Sequence, residues 1–128
     1  MKKILLFTVL VLLTAIGVSS AETKVARIAV ASEIVNREPA QTNNIFKSDV
    51  GRIYCFTEIT TDQAPTGIVH VWSYKDKIMA EVPLQVGAAR WRTYSSKKIV
   101  NQWQGNWKVE VYSDQGDLLN SIEFIVLE

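Results

Sequence analysis

The chain has 128 residues, with 14 Lys and Arg, 13 Asp and Glu, one Cys, one His and 48% hydrophobic residues, for a formal net charge of +1. That length suits one small domain, alone or behind a targeting segment, and does not fit a multidomain enzyme. Near-neutral charge argues against a dedicated nucleic-acid binder, one Cys excludes an internal disulfide framework, and one Cys with one His excludes a self-contained Cys/His zinc site.

Lys2 and Lys3 precede residues 4–18, an uncharged run whose only polar side chains are Thr8 and Thr14. The run is shorter than the ~20 residues a spanning helix needs, and the small residues Ser19-Ser20-Ala21 follow it. This reads as a bacterial export signal cleaved after Ala21, leaving residues 22–128 as a single periplasmic or secreted domain with no membrane span. The alternative is an uncleaved N-terminal membrane anchor. No cysteine stands near the end of the run, which disfavours lipoprotein processing. Residues 22–128 carry 12 basic and 13 acidic side chains, a net charge of −1. The lone Cys55 sits in an apolar stretch and reads as a buried free thiol.

From Val25 onward the apolar period is two rather than 3.6, so the domain reads as strands. Residues 25–31 form the first. Residues 36–46 are polar and contain Pro39, which predicts a long loop. In residues 52–60, Ile53, Cys55, Thr57 and Ile59 alternate with Arg52, Tyr54, Phe56 and Glu58; bulk on both faces predicts an interior strand. After the breaker cluster Ala64-Pro65-Thr66-Gly67, residues 68–74 set Val69 and Val71 opposite the stripe His70, Trp72 and Tyr74. Lys75-Asp76 is a tight link into residues 77–86, where Ile78, Ala80, Val82, Leu84 and Val86 share a face. Pro83 predicts an edge position or a bulge there.

Residues 90–96 form another strand. Residues 97–105 then cross to the second sheet, with Ile99 and Trp103 plugging the end of the sandwich. Trp107, Val109 and Val111 give the core face of the next strand. Ser113-Asp114-Gln115-Gly116 suits a type I turn with its Gly left-handed. Leu118, Ile122, Phe124 and Val126 give the core face of the last strand. About seven short strands predict an all-β, immunoglobulin-like antiparallel β-sandwich. Without an inter-sheet disulfide, packing alone is expected to hold the sheets.

No catalytic constellation is recognisable. His70 is the only histidine available to a hydrolytic triad, and no GxSxG motif accompanies it. Glu58, Asp62, Asp76 and Glu81 sit where solvated charges are ordinary, and neither a phosphate-binding glycine loop nor a calcium loop is present. No cofactor is implied. The aromatics carry more signal. Trp72 and Tyr74 on the His70 stripe would form a flat platform for a sugar or a partner peptide if that stripe faces out; if it faces in, the strand is buried on both sides. Arg90-Trp91-Arg92-Thr93-Tyr94-Ser95-Ser96-Lys97-Lys98 packs cations among aromatics and hydroxyls, a pattern suited to cation–π pairing and carboxylate binding.

Several short motifs occur in order: Asn36-Arg37-Glu38-Pro39, Tyr54-Cys55-Phe56-Thr57, His70-Val71-Trp72, Trp91-Arg92-Thr93-Tyr94-Ser95-Ser96-Lys97, Gly105-Asn106-Trp107-Lys108-Val109-Glu110-Val111, and a closing Gly116 with Phe124-Ile125-Val126. Together they resemble the bacterial family catalogued as domain of unknown function 2914, over residues 33–127. The resemblance implies no mechanism; it singles out His70, Trp72, Trp91, Arg92, Thr93, Ser95, Ser96 and Lys97 as motif positions. The turn Lys75-Asp76 departs from it, where a Gly-containing turn is expected.

These readings converge on an exported, non-catalytic β-sandwich that binds a protein or cell-envelope partner. Its candidate surface is His70, Trp72, Tyr74, Trp91, Arg92, Thr93, Ser95 and Lys97. The alternative is a carbohydrate-binding module that uses Trp72, Tyr74 and Trp91 as stacking rings. A weaker alternative is a hydrolase using His70.

Overall fold

A computed structural model describes residues 22–128, so the expected signal segment and its cleavage after Ala21 lie outside the described residues. Nine strands follow one another: β1 (Thr23–Val35), β2 (Glu38–Thr42), β3 (Ile45–Lys47), β4 (Arg52–Thr61), β5 (Thr66–Tyr74), β6 (Lys77–Val86), β7 (Arg90–Lys98), β8 (Gly105–Ser113) and β9 (Leu118–Leu127). They form two sheets, ordered β2-β1-β4-β7 and β3-β9-β8-β5-β6. Without β2 and β3, three strands face four, and this is the immunoglobulin-like sandwich expected from the strand pattern.

β2 and β3 correct the expectation of a loop over residues 36–46. Both are edge strands: β2 has no fully buried residue, β3 spans three residues with Phe46 alone entering the core, and Pro39 can lack its N–H on an edge. β3 also pairs parallel with β9, so the sandwich is not purely antiparallel. Pro83 lies on β6, at an edge of the second sheet as expected. The link Lys75-Asp76 takes positive φ at both residues, 49° and 67°, the conformation of a two-residue hairpin turn, so the chain adopts this turn without the glycine that such dihedrals favour. Gly116 adopts its left-handed conformation at φ 92°.

The core lies between the sheets. Trp72, Trp107, Phe124, Ile53, Cys55 and Val109 belong to one buried cluster, and Ile59, Ile68, Val86 and Val111 to a second. Each Trp buries 150–250 Å², an upper-bound stabilisation of about 4–6 kcal/mol at ~25 cal/mol per Å². Immunoglobulin domains pack a third-strand Trp against their disulfide. Here Trp72 packs in a cluster that holds Cys55 as a free thiol. Ile99 is buried and Trp103 packs against the same cluster, so both close the end of the sandwich. Leu118 is the exception among the expected core residues, at 55% exposure. A register shift between Val111 and Tyr112 leaves Leu118 outside and Leu119 packed against the second cluster in its place.

One departure from regular geometry shapes the outer face of the first sheet. Glu38 pairs with Val35, eight residues beyond Arg27 on β1. A straight strand would separate those positions by about 26 Å. Instead, the Glu38 carboxylate takes two hydrogen bonds from Arg27, both at 2.8 Å. The β1–β2 hairpin therefore folds back over the sheet, carrying its tip, Asn36-Arg37, towards β7. Phe56 accordingly points outward from the sandwich core and is still buried, with the Arg27 guanidinium 4.9 Å from its ring centroid.

Candidate functional site

The stripe His70, Trp72 and Tyr74 faces inward. His70 and Trp72 are both 0% exposed, and the opposite face of β5 is largely covered too, with Val71 buried and Val69 half-buried. Three of the expected surface residues, His70, Trp72 and Ser95, instead form a polar tie between the sheets. Trp72 Nε1–H donates to Ser95 Oγ at 3.0 Å, and Ser95 Oγ lies 2.6 Å from His70 Nδ1. His70 Nε2 lies 3.2 Å from Thr57 Oγ1, whose hydroxyl donates to the Thr93 carbonyl at 3.4 Å.

One protonation pattern satisfies every member. The Ser95 hydroxyl donates to Nδ1, Nε2–H donates to Thr57, and Thr57 donates onward to Thr93. The opposite tautomer leaves the Ser95 hydroxyl proton without an acceptor in this chain of bonds. Among the described residues no buried side-chain nitrogen or oxygen lacks a partner. Burial pushes the His70 imidazole down to about 4, which keeps it neutral, and no carboxylate takes part in its bonds. The sheets are thus tied by a hydrogen-bonded relay as well as by packing, which corrects the expectation of packing alone. A hydrolase that relies on His70 loses its base to the core.

The other expected residues disperse. Tyr74 donates its hydroxyl to the Gln104 carbonyl at 2.6 Å and stands 5.0 Å from the Trp107 ring, pinning the end of the sandwich. Lys97 sits 4.7 Å over the Trp103 ring at that end. Thr93 shares the inner face of β7 with Ser95. Ser96, on the outer face, accepts from Arg52 at 2.8 Å. Trp91 and Arg92 alone remain together at an accessible cleft.

That cleft, ≈ 530 Å³, is lined by Arg27, Arg37, Glu58, Ala88, Arg90, Trp91 and Arg92. Its floor is an alternating ionic chain. Glu58 takes Arg90 on one oxygen and Arg27 on the other, the latter at 2.6 Å. Arg27 also grips Glu38, which in turn accepts Arg92 at 2.6 Å. The arginines beside Glu38, Arg27 before Arg92, hold its carboxyl down to about 2; Arg90 and Arg27 likewise lower Glu58.

Arg27 bonds through all three of its nitrogens, whereas Arg90 and Arg92 each pair through one nitrogen, and Arg90 remains 65% exposed. Arg37 adds a fourth guanidinium from the hairpin tip, 6.0 Å from the Trp91 ring centroid. The Trp91 ring also rests on Gly87, where a Cβ would come within 3.1 Å of it. Four arginines against two glutamates leave the cleft with an excess of two positive charges.

Sequence reasoning found Arg92 and Trp91 but assigned no site role to Arg27, Arg37, Glu38 or Glu58. One signal was present. Glu58 interrupts a strand that is bulky on both faces, where an ionised carboxylate needs a partner. Its pairing with Arg27 follows from the β1–β4 register, which sets the two residues opposite each other, whereas the link onward to Glu38 depends on the folded-back hairpin, which no periodicity encodes.

Residues 65–126 match the model of a family described as "Protein of unknown function (DUF2914)", the family the motifs resemble. The match is shorter than the expected span of residues 33–127. It takes in β5 to β8 and most of β9, with the motifs around His70, Arg92 and Trp107, and omits those around Arg37 and Cys55. It contains just one strand of the first sheet, β7, so the sandwich is completed by residues that precede the match. No curated protein matches the chain. Solved structures that resemble it include a β-glucosidase from Listeria innocua in complex with glucose, at 11% identity and a TM-score of 0.46 over 87% of this chain. Another is the extracellular domain of a one-component system from B. thetaiotaomicron, at 13% identity and a TM-score of 0.42 over 85% of this chain. The chain spans 16% of the length of each.

Proposed function

We propose that the protein is an exported, non-catalytic binding domain that holds a protein partner of the cell envelope through the arginine cleft. The observation that carries this reading is the unbalanced charge of a built site. Glu38 and Glu58 fix Arg27, Arg90 and Arg92 in place, the last two through one nitrogen each, and Arg37 adds a charge with no ion pair among the described residues. Guanidinium groups fixed in this way suit bidentate recognition of carboxylates. Export rests on Lys2, Lys3, the apolar run and Ser19-Ser20-Ala21.

The carbohydrate reading is less favoured. Of its three rings, Trp72 lies in the core and Tyr74 at the end of the sandwich, while Trp91 already has Gly87 and Arg37 against it. Affinity capture from envelope extract tests the leading reading. The unmodified chain is expected to retain a defined partner that an Arg37→Ala/Arg90→Ala double variant, equally folded by circular dichroism, loses. The same partner retained by both proteins would remove the cleft from the account.

A further inference from the structure

We infer that the partner segment is an acidic peptide in extended conformation, which joins the free edge of β7 as an added strand and sets alternate carboxylates against Arg90 and Arg92. This inference rests on the protein-binding reading above and specifies its ligand.

β7 is the last strand of its sheet and pairs only with β4. Its nine residues offer about 30 Å of backbone edge. Such an edge is a template for another chain, and pairing of this kind takes affinity from main-chain bonds and specificity from alternate side chains. The cleft borders the start of this strand. It is lined by three consecutive residues, Arg90, Trp91 and Arg92, whose side chains alternate between the faces of the strand. The cavity thus runs from the outer face of the sheet, where Arg27 and Glu58 line it, to the first residues of the edge strand.

Charge selects the occupant. The outward row of β7 reads Arg90, Arg92, Tyr94, Ser96, Lys98, with three cations and no acid. Carboxylates two residues apart on an added strand stand about 7 Å apart, the spacing of Arg90 and Arg92. Arg37 overhangs the same cleft from the hairpin tip and forms no ion pair among the described residues. A second copy of the chain is a poor occupant. Antiparallel self-pairing about Tyr94 would set Arg90 against Lys98, and like charges directly opposite destabilise a sheet. The other long exposed edge, β6, carries Glu81 and Pro83 and does not match an acidic strand.

The test is a titration of the chain, purified after export, with a synthetic peptide of alternating Glu and Thr about ten residues long. Binding is read by calorimetry and by backbone-amide NMR. Saturable binding is expected, with amide shifts concentrated on β7 and at Arg37, and about tenfold weaker affinity between ~0.05 M and ~0.5 M salt. An alternating Gln-Thr peptide is expected not to saturate. N-methylation of alternate peptide amides should weaken binding at least about tenfold, because it removes strand pairing while keeping the carboxylates. Arg37→Gln, which breaks no ion pair, should weaken binding roughly three- to tenfold.

The proposal is overturned if the Glu-Thr peptide fails to bind, if the N-methylated or Gln-Thr peptide binds equally well, or if the shifts fall on β6. An oligo-uronate that binds more tightly than the peptide would also overturn it. Failure of the peptide while envelope capture still depends on Arg37 would overturn this inference alone and leave the protein-binding reading standing.

Discussion

Ser95→Ala is the sharpest perturbation of the inter-sheet tie. It removes one oxygen that accepts from Trp72 Nε1–H and serves His70 Nδ1, and both partners are fully buried. Each of the two groups left unsatisfied costs about 1–3 kcal/mol, so the loss should be about 2–6 kcal/mol. Against a typical total stability of about 5–15 kcal/mol, that is a large fraction. Urea unfolding followed by tryptophan fluorescence measures it directly, as a lower midpoint at unchanged slope. Trp72→Phe supplies the cross-check. Combined with Ser95→Ala it should cost less than the two single losses added, because both break the same bond. A Ser95→Ala loss below about 0.5 kcal/mol, the range of an ordinary surface substitution, would refute the relay.

Acidification should expose His70 next. Its pKa is about 4 in the folded chain and ~6.5 when unfolded, so the unfolded state binds more protons between those values. Its contribution is therefore constant above ~6.5 and declines towards pH 4 by about 3 kcal/mol, measurable as falling urea midpoints. Stability that rises over that window would contradict the buried neutral imidazole. The depressed Glu38 carboxyl acts in a lower window, its stabilisation being lost as pH falls from its ordinary range towards about 2. Glu38→Gln should release the hairpin from Arg27 and Arg92, seen as faster amide exchange over residues 33–42 with β5 and β8 unchanged; protection equal to the unsubstituted chain would refute the folded-back arm. Cys55, buried and pushed up to about 12, should resist thiol reagents at pH 8 until the chain unfolds, and rapid labelling of the native protein would contradict its placement.

The strands that face the core were legible because burial on one side imposes a two-residue period. The faces Ile53-Cys55-Thr57-Ile59 and Trp107-Val109-Val111 were both read as they stand. β2 and β3 were not: β3 sends Phe46 alone into the core, too short a strand to show a period, and in β2 Pro39 reads as a breaker. The direction of the His70 stripe was ambiguous for a different reason. Polar residues with hydrogen-bond partners can be buried as fully as apolar ones, and the partners of His70 lie on another sheet, 13 and 25 residues away. The same long-range pairing explains why Thr57, Ser95 and Trp72, from three separate motifs, turn out to share one network. Of the candidate surface only Trp91 and Arg92 survived at a cleft. The rest of that cleft depends on a hairpin reversal that brings Arg37 and Glu38 to residues more than fifty positions further on.

The most direct test of the account is site-specific photo-crosslinking of the exported protein in intact cells. A photoreactive side chain is placed at Ala88, an exposed uncharged residue of the cleft lining, and in a second protein at Ile78, exposed on the opposite sheet. A discrete protein adduct is expected from position 88 and none of the same mass from position 78. That adduct should vanish when Arg37 and Arg90 are also replaced. An adduct from position 78 with none from position 88 would contradict the claim that the outer face of the β2-β1-β4-β7 sheet is the binding face.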